Sequence, residues 1–319
     1  MRFTTSEGYS YESVPTASGK PPFPPDLVAK SKNFLQATLT MFRPLGPAAD
    51  IAPAILKRYP VHAERAKIAT ELGVEPVDLL AGNLCYDILA GTIAMGCSTL
   101  ALAGKDGPVL ARNMDWFPAE KIAKASCLVN EDYGVSAGFI GMLGAVTGMS
   151  RHGFCVCINA AFAGRDPSGY PMLLFLRHVL DTAKSFTEAL AMVERERLMS
   201  GGIITVVGTN NDERAIVERT TNKAKVRRPT GDKPLMATNH FREISAPEPC
   251  ERYDCMARNV EKLPPMEVLT DRRVLQEITA QHVVVCPATQ SAEMFVPSHL
   301  LPESVRDEMT VADLMRFLG

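Results

Sequence analysis

The chain has 319 residues, of which 46% are hydrophobic and 22% charged, with a formal net charge of −2. This composition suits a globular protein whose core fills one broad domain or two modest ones. Lys and Arg are scattered, which leaves no electrostatic footprint for nucleic acid, and no apolar run approaches the roughly 20 residues that span a bilayer.

Residues 1–26 include Pro15, Pro21, Pro22, Pro24 and Pro25 and read as an extended or disordered arm. Their polar start lacks a signal-peptide core, which gives the expectation of a cytoplasmic protein. From Leu27 to Ile88 the pattern is helical, with helices expected at Asp50–Lys57 and His62–Leu72. Glu75-Pro76-Val77-Asp78 opens another that runs towards Leu89, with proline in its first turn. At Gly91 the character changes. Cys97–Ala103 and Pro108–Met114 are short apolar runs around Gly104-Lys105-Asp106-Gly107, a hairpin signal. Strands are expected next at Ser126–Asn130, Gly138–Ala145 and Phe154–Asn159, then amphipathic helices at Met172–Asp181 and Phe186–Arg197. Strands return at Ile203–Val207, Ala215–Glu218 and Val283–Cys286, with helices near Tyr253–Lys262 and Arg273–Ile278. This order predicts an α+β fold with helices packed outside antiparallel sheets.

The hairpin brings chemistry together. With a four-residue loop Cys97 faces Met114; with a two-residue loop it faces Trp116. Either register sets Asp115 opposite or diagonal to Cys97, with side chains roughly 5–8 Å apart. Arg112 lies three residues before Asp115, so a regular strand sends the two to opposite faces. They serve one site only if the strand bulges or ends around Asn113-Met114. A thiol near its ordinary pKa is mostly protonated at neutral pH and needs activation. None of the six histidines (His62, His152, His178, His240, His282, His299) sits in a recognisable Cys/His protease setting. A cut before Cys97 would free an α-amine able to take the thiol proton. Gly96, without a Cβ, is a fitting residue to precede it.

Gly96-Cys97-Ser98-Thr99 followed by Ala111-Arg112-Asn113-Met114-Asp115-Trp116 resembles the nucleophile hairpin of the acid ceramidase and N-acylethanolamine acid amidase group. The same pattern occurs in choloylglycine hydrolases and in the C45 peptidase-like isopenicillin N acyltransferases. Glu71-Leu72-Gly73-Val74, Leu79-Leu80 and Asn83-Leu84-Cys85-Tyr86-Asp87 resemble the ceramidase-like helical segment upstream of the nucleophile. Gly148-Met149, Gly153-Phe154, Ile158-Asn159-Ala160, Thr238-Asn239-His240-Phe241 and Arg252 are similar to downstream motifs of these families.

The resemblance implies an N-terminal-nucleophile (Ntn) αββα sandwich, a helical segment 27–96 and a catalytic segment 97–319 packed with it as one unit, and self-cleavage between Gly96 and Cys97. It also implies roles. Cys97 is nucleophile and α-amine base, Asp115 orients the amine, and Arg112 favours the charged sulfur. Asn239 and, secondarily, Asn159 donate to the oxyanion, while Arg252 positions substrate or braces the site. The expected activity is hydrolysis of a small N-acyl amide with an apolar acyl group. The alternatives are an acyltransferase, a non-catalytic lipid- or amide-binding relative, and an unprocessed cysteine enzyme using His152 or His240. No cofactor or metal is expected, because Cys155, Cys157, Cys250 and Cys255 lack tetrahedral ligand spacing and read as core cysteines. The sequence is compatible with a homo-oligomer.

Overall fold

The computed structural model describes residues 1–42, 48–89 and 96–302. Two antiparallel-rich sheets form its centre. The seven-stranded sheet contains β1 (Arg2–Thr4), β2 (Ser10–Ser13), β4 (Gly96–Leu102), β5 (Val109–Asp115), β13 (Leu235–Ala237), β14 (Thr279–Cys286) and β15 (Ser291–Pro297). Its spatial order is β1-β2-β15-β14-β5-β4-β13. The eight-stranded sheet contains β3 (Thr16–Ser18), β6 (Cys127–Glu131), β7 (Gly134–Gly138), β8 (Thr147–Ser150), β9 (Phe154–Asn159), β10 (Gly202–Val207), β11 (Arg214–Arg219) and β12 (Ala224–Arg227). Its order is β12-β11-β10-β9-β8-β7-β6-β3.

Strand alternation sorts side chains into layers. On β9, Cys155 and Cys157 point into an apolar layer shared with Ala101, Leu110 and Val283 of the other sheet. Val156 and Ile158 turn the opposite way, onto Leu176 and Val193 of α8 (Met172–Thr182) and α9 (Phe186–Arg195). Ser185 begins α9 by accepting the backbone N–H of Glu188, satisfying one of the free donors of its first turn. On the far side of the seven-stranded sheet, Leu100 and Ala111 pack against Cys255 and Met256 of α10 (Glu251–Asn259) and Val268 and Leu269 of α11 (Pro265–Leu269). The result is helix, sheet, sheet, helix, the four-layer α+β order expected. Six helices, α1 (Pro25–Phe42), α2 (Ala48–Arg58), α3 (Pro60–Ala66), α4 (Ala69–Leu72), α5 (Pro76–Asn83) and α6 (Cys85–Leu89), join the core of the eight-stranded sheet, for example through Leu79 and Leu80. A further helix, α7 (Ala119–Ala125), follows the hairpin.

Three expectations change. The N-terminal residues include paired strands: β1 and β2 extend the seven-stranded sheet beyond β15, and β3 runs parallel to β6 at the edge of the eight-stranded sheet. Residues 139–146 are a turn rather than the strand expected over Gly138–Ala145. Gly141 has φ +92°, and Asn83 clamps the turn by donating to the Gly141 carbonyl and accepting from the Leu143 N–H. Arg273–Ile278 is likewise a set of turns, and the helix in this region lies earlier, at α11. There Asp271 accepts the Arg273 backbone N–H as well as its side chain, a local bond that competes with a helix.

Candidate active site

The hairpin adopts the four-residue-loop register: Cys97 pairs with Met114, Gly96 with Asp115 and Thr99 with Arg112. Cys97, Thr99, Arg112 and Met114 therefore face the eight-stranded sheet, while Gly96, Ser98, Asn113 and Asp115 face α10 and α11. Arg112 and Asp115 do leave on opposite faces, and β5 does not bulge against β4. The irregularity lies instead on β14, between Thr279 and Gln281. Both residues reach one place because β5 ends at Asp115. What the carboxylate meets there is the Gly96–Cys97 peptide; it is Arg112 that meets the sulfur.

On the sulfur face, the fully buried Arg112 donates through Nη2 to Cys97 Sγ at 2.9 Å. Its Nη1 donates to the Val146 carbonyl and to Thr147 Oγ1, at 3.1 and 3.0 Å. A buried guanidinium is costly unless its donors are satisfied. Here Nε donates to the Asn113 carbonyl at 3.4 Å, and Nη2 is spent on sulfur, where it favours thiolate. Burial pushes the Cys97 thiol up, Arg112 pulls it down, and Asp115 adds a smaller upward push. Asn159 lies beyond: its Oδ1 accepts from Thr99 Oγ1 at 2.7 Å, and its Nδ2 donates to the Ala237 carbonyl at 3.2 Å. It thereby ties β9 to β4 and β13.

On the other face, Cys97 N–H donates to Asn239 Oδ1 at 3.0 Å, and Asn239 Nδ2 donates to the Ala160 carbonyl at 2.7 Å. Arg252, on α10, donates to the Cys97 carbonyl at 2.8 Å and to Asn239 Oδ1 at 2.7 Å. It also lies 3.7 Å from Asp115 Oδ2. Asp115 is fully buried, and Thr279 Oγ1 donates to its Oδ1 at 2.7 Å. Its Oδ2 has no hydrogen-bond partner. Burial raises the Asp115 carboxyl above the usual carboxylate range, opposed by Thr279, Arg252 and Arg112.

Arg112, Asp115, Asn239 and Arg252 thus gather around Gly96–Cys97, while Asn159 reaches Thr99 and Ala237. Thr279, Thr99 and Thr147 hold them and were not singled out from the sequence. Thr279 is 164 residues from Asp115 and reaches it only through strand pairing. The two histidines considered as alternative bases are engaged elsewhere, His152 with Lys184 and His240 with Glu248. A narrow apolar cavity of about 30 Å³ is lined by Met114, Val146, Trp116, Phe139, Met142 and Leu173. Trp116 is therefore pocket wall as well as core. Among the described residues, no helix is long and apolar enough to cross a membrane.

Residues 102–282 match the family described as acyl-coenzyme A:6-aminopenicillanic acid acyl-transferase. The N-acylethanolamine-hydrolyzing acid amidase of Caenorhabditis elegans is 23% identical over 218 residues, covering 61% of this chain. The match spans 60% of that relative's length. The solved structure of a Caenorhabditis elegans N-acylethanolamine-hydrolyzing acid amidase ortholog superposes with a TM-score of 0.52 at 20% identity, covering 60% of this chain and 93% of that one. A mutant of the conjugated bile acid hydrolase of Clostridium perfringens gives a TM-score of 0.39 at 14% identity, covering 64% of this chain and 92% of that one. With more than half its length matched, and with the four-layer fold, the chain belongs to the acyl-coenzyme A:6-aminopenicillanic acid acyl-transferase family, within the N-terminal-nucleophile hydrolase group.

Proposed function

We propose that this protein is a self-processing cysteine amidohydrolase that cleaves the C–N bond of a small N-acylated molecule with an apolar acyl group. One observation carries the reading. Asp115 Oδ2 is buried without a partner beside the Gly96–Cys97 peptide, while Arg112 holds Cys97 Sγ on the opposite side of the same residue. Arg252 lies 3.7 Å from that oxygen, yet a buried carboxylate oxygen without a hydrogen bond is still costly. The α-amine released by a cut before Cys97 supplies the missing donor.

In turnover, the Cys97 amine takes the thiol proton as sulfur attacks the amide carbon. Asn239 Nδ2 and, secondarily, Asn159 Nδ2 donate to the developing oxyanion, where the loss of one donor is worth roughly 3 kcal/mol. The leaving amine collects the proton, and water then resolves the thioester. Arg252 braces the oxyanion side by holding both the Cys97 carbonyl and Asn239. The apolar lining that includes Met114, directly across the hairpin from Cys97, suits an apolar acyl chain.

The family match favours a second reading, an acyltransferase in which an amine or thiol acceptor replaces water at the thioester. The test common to both is the intact mass of wild type and Cys97→Ala under denaturing conditions. Fragments 1–96 and 97–319 from wild type, with the variant whole, are expected; two uncut chains after prolonged incubation sink the proposal. Product analysis with and without an added amine then separates hydrolysis from transfer.

A further inference from the structure

A Cβ built on Gly96 falls 2.7 Å from Asp115 Oδ2, 2.9 Å from its Cβ and 3.3 Å from its Cγ. Non-bonded carbon atoms do not approach that closely, so the room a side chain would need at residue 96 is already filled by the Asp115 carboxylate. Swinging away is not open to Asp115. Its side chain is short, its Oδ1 is fixed by Thr279, and its Cβ, set by the strand, is itself in the collision. The position demands empty space on one face of the bond to be cut.

We infer that Gly96 is a positioning residue for self-cleavage: its missing side chain is the space through which Asp115 closes on the Gly96–Cys97 peptide. This rests on the self-processing reading and deepens it. In that step Cys97 Sγ bonds to the Gly96 carbonyl carbon, the Gly96–Cys97 C–N bond breaks, and the thiol proton passes to the Cys97 nitrogen. Water then cleaves the thioester, leaving the Gly96 carboxylate and the free thiol. The new amine is formed next to Asp115 Oδ2, the oxygen that lacks a donor beforehand. A methyl group at residue 96 drives the carboxylate off that nitrogen, and displacements of about 1 Å in such sites cost up to 10²-fold.

The experiment is a double-mutant cycle on the first-order rate of chain cleavage, read by mass, with thermal melting measured for each protein. Gly96→Ala is expected to cut about 10- to 100-fold more slowly than wild type. In an Asp115→Ala background, the same change is expected to have no further effect and to restore any melting temperature that Gly96→Ala alone loses. A merely structural role for Gly96 would instead add its full cost in both backgrounds. Cleavage of Gly96→Ala at the wild-type rate overturns the inference while leaving the self-processing reading intact. So does a folding defect that removal of the Asp115 side chain does not relieve. Failure of wild type itself to cut overturns both.

Discussion

The two faces of the β4–β5 hairpin solve opposite problems at one residue. On the sulfur face every described donor of Arg112 has an acceptor, and Cys97 Sγ is one of them. On the amide face Asp115 keeps one buried oxygen without a donor. Under the proposed self-cleavage, the first face is complete in the uncut chain and the second becomes complete once an amine appears at Cys97. The proposal then gives separate work to two residues that sequence spacing pushed apart: Arg112 to tune the sulfur, Asp115 to hold the amine.

The largest expected break in that comparison comes from Asp115→Asn, which keeps the shape but removes the charge. Cleavage and turnover of a fluorogenic N-acyl amide should each fall by about 10²- to 10⁴-fold, the range for a lost acid–base partner. A fall in one rate alone would show that the carboxylate serves only that reaction. Next comes Arg112→Lys, which cannot bridge sulfur, the Val146 carbonyl and Thr147 with one ammonium. Its Cys97 should react with iodoacetamide roughly tenfold more slowly at neutral pH, because the direct Nη2–Sγ hydrogen bond is lost and burial is less well opposed. An unchanged alkylation profile would remove Arg112 from the activation of sulfur.

The smallest effect is expected at Thr279→Val. Turnover requires Asp115 ionised, and because its folded-state pKa is raised, activity is lost as pH falls through that raised value. The Thr279 hydroxyl favours the ionised form, and a hydrogen bond to a charged group contributes about 1.5–3 kcal/mol. Removing it should move the acid limb of the pH–rate profile to higher pH by roughly one to two units. The same linkage makes the Asp115 contribution to stability greatest below the unfolded carboxylate pKa and smaller as pH rises through the raised one. A limb that stays in place would assign it to another group.

Much of this hairpin was legible because its information is local. The loop glycines narrowed the register to two, both with Asp115 beside Cys97, and strand pairing selects the one with Cys97 opposite Met114. Thr279 carried no such signal, since a threonine in an apolar stretch looks like any strand residue until β14 is laid beside β5. Apolar Phe139, Ile140, Met142 and Leu143 suggested a strand, yet Asn83, far upstream, supplies the backbone partners that make their segment a turn. The proline-rich start misled for a related reason. The prolines do not enter the strands: Pro15 lies between β2 and β3, and Pro21, Pro22 and Pro24 follow β3, so they punctuate the pairing without interrupting it.

Those N-terminal strands bear on the fate of residues 1–96 under the proposed cut. One short stretch of chain grips both sheets, through β2 on β15 and β3 on β6, while α1–α6 bury apolar side chains between these anchorages and the body of the protein. A ligand attached at two points dissociates only when both release together, because the second stays at high local concentration while the first is open. Under the proposed self-cleavage, the severed segment would be a bivalent clasp, and the two fragments would stay together on dilution.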